Sequence, residues 1–120
     1  MSVLRVPGPL VPAIDIDAAL RALIEKILSV SQPEAIWLFG SAARGTAQQG
    51  SDLDLAIVYT SAAEALVAKR AVYGLAPLSE WSVDLLFFDR ATFEAKKRVG
   101  GVCFVIQEEG RIVYRKGEHK

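Results

Sequence analysis

Apolar positions follow two rhythms along this chain. From Leu20 they recur at helical spacing through Leu23, Ile24, Ile27 and Leu28, and Asp15 or Asp17 is placed to cap the helix this predicts. "SVSQPE" (29–34) ends the helical pattern. "AIWLFG" (35–40) is wholly apolar up to its glycine and reads as a short buried strand. Residues Ser41 to Ala47 make up to two helical turns with Ser41 as cap, and "QQGS" (48–51) is a turn. "DLDLAIVY" (52–59) is a second strand. Its alternation puts Leu53, Leu55 and Ile57 on one face and Asp52, Asp54, Ala56 and Val58 on the other.

Helical spacing returns from Ala62 to Ala76 and is broken by "PLSEW" (77–81). "SVDLLFFD" (82–89) is a third strand, followed by a helix from Arg90 to about Val99 with Asp89 as cap. "GVCFVIQEEG" (101–110) fits either a strand or a short helix ending at Gly110, and "RIVYRK" (111–116) makes a final edge strand. Such alternation predicts an α/β domain: a small mixed sheet flanked by helices. The first two strands are joined too closely for a parallel crossover and should be antiparallel. The helical link to the third allows a parallel neighbour. Three prolines, Pro7, Pro9 and Pro12, make residues 1–12 an extended arm before a single domain over residues 13–116. The charged end, residues 117–120 with His119, reads as a disordered tail.

Composition narrows the function classes. Fourteen basic and fourteen acidic residues cancel, which argues against a grip on long nucleic acid. The single cysteine, Cys103, cannot form an internal disulfide and reads as a core residue. No signal-peptide pattern and no run near the roughly 20 apolar residues of a membrane helix is present, so the expected location is the cytoplasm.

The chemistry lies where charge interrupts the apolar pattern. Asp52 and Asp54 head a strand that is otherwise buried and point to the same face. Like charges so placed repel and lose solvation unless a cation lies between them. Asp84 repeats the anomaly at the start of the third strand; if the strands are neighbours, three carboxylates converge. Oxygen donors of this kind suit Mg²⁺ or Mn²⁺. Gly40-Ser41 supplies the complementary half: backbone N–H groups and a hydroxyl for an anion, with no Cβ at Gly40 to keep a phosphate away. Arg44, one turn on, is a candidate phosphate donor, although a surface arginine explains it equally well.

Gly40-Ser41, ten residues, Asp52-x-Asp54, then Asp84 in the following strand: this order resembles the nucleotidyltransferase superfamily that includes DNA polymerase β and the aminoglycoside nucleotidyltransferases. "GSAARGTAQQGSDLDL" in so small a chain looks most like the minimal nucleotidyltransferases, antitoxin partners of HEPN-domain ribonuclease toxins (the MntA type). The resemblance implies a polymerase β-like palm core over about residues 14–115. It implies that Asp52 and Asp54 hold two metal ions bridging ATP, that Asp84 completes the second metal site and helps deprotonate the attacking hydroxyl, and that Gly40 and Ser41 hold the β- and γ-phosphates. It further implies transfer of AMP to a tyrosine of the toxin.

Two other functions stay open: a non-catalytic antitoxin that neutralises its partner by binding, and an enzyme acting on a small hydroxylated acceptor such as an aminoglycoside. Read without the resemblance, Asp52 caps a turn, Asp54 faces solvent and Asp84 pairs with a lysine, while Gly40-Ser41 is an ordinary strand-to-helix turn. Lys69 and Arg70, and the run Lys96-Lys97-Arg98, read as solvated helix faces. Trp37 and Trp81 read as packing residues, with Trp81 also a candidate for a nucleotide edge or partner surface.

Overall fold

The computed structural model describes residues 12–44, 53–79 and 82–117. A long helix, α1 (Pro12–Val30), leads into strand β1 (Ala35–Phe39), the single turn α2 (Ser41–Arg44) and strand β2 (Leu53–Tyr59). Helix α3 (Ala62–Tyr73) precedes β3 (Val83–Asp89), and α4 (Arg90–Lys96) and α5 (Val102–Glu109) precede the last strand, β4 (Arg111–Arg115). The sheet order is β3-β2-β1-β4. As expected, β1 and β2 are antiparallel and β2 and β3 parallel; β4 lies antiparallel on the far side of β1. Between β1 and β4 the register shifts at Ile36/Trp37, so that Ile36 faces Tyr114 while Trp37 faces Ile112.

Alternation along the strands builds two separate cores. On one face Leu53, Leu55 and Ile57 pack with Ile36 and Leu38 beneath Leu20, Leu23 and Ile27 of α1 and Ala65, Ala68 and Val72 of α3. On the other, Ala56 and Val58 pack with Trp37, Phe39, Leu86 and Phe88 beneath Phe93 of α4 and Cys103 and Ile106 of α5. Cys103 is thus a core residue, as read, and burial raises its thiol pKa. Because both faces are covered, β2 is apolar at almost every position, and Asp54 stands out in it for a physical reason.

Several boundaries differ from expectation. Helix α1 starts at Pro12, so positions 15 and 17 lie within it and not at the residue before its start. Proline suits a first helical position, where its missing N–H would have no partner. At α2, Gly40 takes the cap position, since its carbonyl accepts from the Arg44 N–H at 3.2 Å; Ser41 is the first helical residue. Helix α3 stops at Tyr73, and its Ser61 cap accepts from the Glu64 N–H. Asp89 caps α4 as expected, accepting from the Thr92 N–H at 3.0 Å. The ambiguous segment before Gly110 is helix α5. Arm residues 1–11, residues 45–47 of the expected second helix turn, and tail residues 118–120 lie outside the described residues.

Candidate functional site

The strand ends place the predicted residues. In the parallel β2–β3 pair, Asp54 is the register partner of Asp84, so the two carboxylates leave the same face of adjacent strands, with backbones about 4.8 Å apart. Leu53 N–H donates to the Ser82 carbonyl at 2.8 Å, the bond that ties these two strand starts together. Across β2, Asp54 pairs with Phe39, the last residue of β1, and Gly40 follows directly. Gly40 has φ +77°, in the left-handed region, and a Cβ built there would collide with the Asp54 carboxylate and lie 3.1 Å from its Cγ. Glycine is therefore required twice over: by the backbone conformation and by the carboxylate beside it.

Ser41 stands next to this contact at the start of α2, part-exposed, while Asp84 is exposed and Asp54 part-buried. Asp54, Asp84, Gly40 and Ser41 thus meet at one edge of the sheet, where β1 ends and β2 and β3 begin. Asp52 lies outside the described residues. Arg44 is close in sequence, but its guanidinium lies 3.3 Å from the Glu109 carboxylate at the end of α5, with both side chains half exposed.

Paired carboxylates on one face are the hard oxygen donors that a divalent cation takes, and two of them in register leave room for further oxygens from a ligand. Among the described residues no group of three His, Cys, Asp or Glu side chains converges as a metal site. Asp54 and Asp84 fit such an ion as two donors of a larger set.

Three supporting contacts had no signal in the sequence. Lys26 of α1 donates to the carbonyls of Pro77 and Leu78, both at 3.1 Å, and so holds the segment that leads toward β3 and Asp84. Glu109 pairs with Arg44 across 65 residues. At the opposite end of the sheet, Glu34 accepts from the Thr60 hydroxyl at 2.7 Å and from Arg90 at 2.8 Å, which hold its carboxyl below the usual glutamate range. Each depends on partners dozens of residues apart, beyond the reach of local pattern.

With this geometry in place, comparison with known proteins is specific. The family model described as a nucleotidyltransferase domain matches residues 20–113. A Haemophilus influenzae protein named "Probable protein adenylyltransferase MntA" is 31% identical over 102 residues, covering 83% of this chain and 90% of its own. A crystal structure of a chain assigned as a nucleotidyltransferase from Sulfolobus solfataricus superposes with a TM-score of 0.55 at 20% identity, over 87% of this chain and 89% of that one. A chain from a crystal structure of a toxin-antitoxin with AMP-PNP is 23% identical over 79% of this chain and 73% of its own, with a TM-score of 0.47. This chain belongs to the nucleotidyltransferase domain family. Its mixed α/β fold is that of the family, and it is a nucleotidyltransferase enzyme.

Proposed function

We propose that the protein is a metal-dependent adenylyltransferase that moves AMP from ATP to a hydroxyl, a tyrosine of a HEPN-type toxin, and so acts as the antitoxin of a cytoplasmic pair. The observation that carries the reading is the in-register pair Asp54–Asp84 beside the Cβ-free approach at Gly40. The likeness to the Haemophilus protein, across most of both chains, supports a protein as acceptor.

In this reading Asp52 and Asp54 hold two Mg²⁺ ions, or Mn²⁺, and Asp84 completes the second site. When bound, the ions supply charge neutralisation on the triphosphate and polarise the phosphorus under attack. Gly40 and Ser41 hold the β- and γ-phosphates through backbone N–H groups and the serine hydroxyl. Arg44 reaches the same phosphates on release from Glu109. Asp84, the exposed member of the pair, accepts the proton as the acceptor oxygen bonds to the α-phosphorus. The bond from that phosphorus to the bridging oxygen breaks, and pyrophosphate leaves with the electron pair.

The test is incubation with labelled ATP, Mg²⁺ and the product of the adjacent gene. Label should appear on that product and vanish with Asp52→Asn or Asp54→Asn. Neutralisation that persists in both variants would assign the protein as a binding antitoxin instead, and label on an added aminoglycoside but not on protein would assign a small acceptor.

A further inference from the structure

A second concavity lies on the same sheet face as Asp54, at the opposite end of the strands. It is a cleft of about 580 Å³ between the end of β4, the start of β1 and helices α4 and α5. Its aromatic wall is Trp37, part-exposed, and Phe93, with ring centroids 5.9 Å apart and planes inclined at 42°. Ala35, Val58 and Ile112 extend that apolar wall. Among the described residues the rim carries four cations, Arg90, Lys97, Arg115 and Lys116, against two carboxylates, Glu34 and Glu94. In a chain whose total charge is zero, this surplus of two positive charges is a local concentration. Glu34 lies 2.8 Å from Arg90 and also in the field of Lys116, and Glu94 lies 2.8 Å from Lys97.

We infer that this cleft binds a small planar anion, a ring system carrying a phosphate or carboxylate, at a site separate from Asp54 and Asp84. The volume is that of a small-molecule site. The part-exposed indole of Trp37, backed by the buried Phe93, offers a face to a flat ring, and the cationic rim takes its charge by charge-assisted hydrogen bonds. Separation follows from register. Ala35 pairs with Val58 at the cleft and Phe39 pairs with Asp54 at the candidate site, four residues along β1, or about 13 Å. Cys103 and Ile106 of α5 pack onto Trp37 and Phe39 in the core between them.

AMP, adenosine and inorganic phosphate are the probes. In a Trp81→Phe background Trp37 is the remaining tryptophan, and its fluorescence reports the cleft. AMP should quench it saturably at millimolar concentration or below, while adenosine or phosphate alone should need about tenfold more, since each lacks one half of the recognition. The double substitution Arg115→Ala with Lys116→Ala, at the exposed strand end, should weaken AMP by about tenfold or more without lowering the melting temperature. Asp54→Asn should leave the AMP midpoint unchanged. Quenching that never saturates overturns the inference. So does a midpoint that moves with Asp54→Asn and not with the Arg115/Lys116 change, which would place the nucleotide at the other end of the sheet. Because the readout is binding and not transfer, loss of adenylylation alone would bear on the proposed function and leave this cleft standing.

Discussion

The two ends of the β1–β2 pair handle charge in opposite ways. At the end where β2 closes, opposite charges meet: the Glu34 carboxylate lies against the Arg90 guanidinium, with the Thr60 hydroxyl as a further donor. At the end where β2 opens, like charges meet: Asp54 and Asp84 are register partners on parallel strands. The first arrangement stabilises a fold on its own. The second gathers oxygen acceptors on one face of the sheet and is suited to a cation and a ligand. The contrast separates side chains that hold the sheet from side chains that use it.

The largest effect that would sharpen this contrast is on activity. Asp84→Asn should lower transfer by about a hundredfold or more, the scale of a lost general base, and Asp54→Asn at least as much. Both variants should keep the wild-type melting temperature in thermal scans, as expected of carboxylates that serve a ligand and not the fold. A melting temperature well below wild type would break the comparison by making these carboxylates structural.

Gly40→Ala comes next. The alanine must take φ +77° and push its Cβ into the Asp54 carboxylate, which should cost about 1–3 kcal/mol in chemical denaturation and displace the carboxylate as well. Transfer should therefore fall by more than the stability loss explains.

At the opposite end, Glu34→Gln should cost about 1 kcal/mol at neutral pH with transfer unaffected. The folded-state pKa of Glu34 lies below the ordinary 4.5. Its contribution is therefore complete above the unfolded-state pKa and disappears as the pH falls through the folded-state value. The gap in melting temperature between wild type and Glu34→Gln should close as the pH is lowered through that range. Smallest of all, Glu109→Gln should change stability by less than about 1 kcal/mol, because its pair with Arg44 is half exposed. If Arg44 serves the phosphates, the same change should tighten nucleotide binding.

Local pattern carried much of the fold. The split of β2 into a Leu53-Leu55-Ile57 face and an Asp54-Ala56-Val58 face needs nothing but a period of two, and it anticipated both cores. Antiparallel pairing of β1 with β2 and parallel pairing of β2 with β3 followed from the lengths of the connections. The Asp89 cap was equally local, three residues from the N–H it accepts. The misreadings were at helix ends and starts: α3 and α4 stop at Tyr73 and Lys96, short of the expected Ala76 and Val99. Acidic residues at 15 and 17 signal a cap as well as proline at 12 does, and Gly40 supplies a cap position through its carbonyl, with no side chain to betray it.

The residue types and their order along the chain already specified an apolar sheet interrupted by carboxylates at strand starts, because periodicity and spacing are properties of the covalent chain. Only folding decided which carboxylate faces which, since register between β2 and β3 depends on where α3 delivers the chain. It likewise decided that Glu109 meets Arg44, that Lys26 holds the Pro77–Leu78 carbonyls, and that Arg90 of α4 and Arg115 of β4 line one cleft with Trp37. Those contacts join segments far apart in sequence, and charge–charge and hydrogen-bond partners become defined only when packing brings them within a few ångströms.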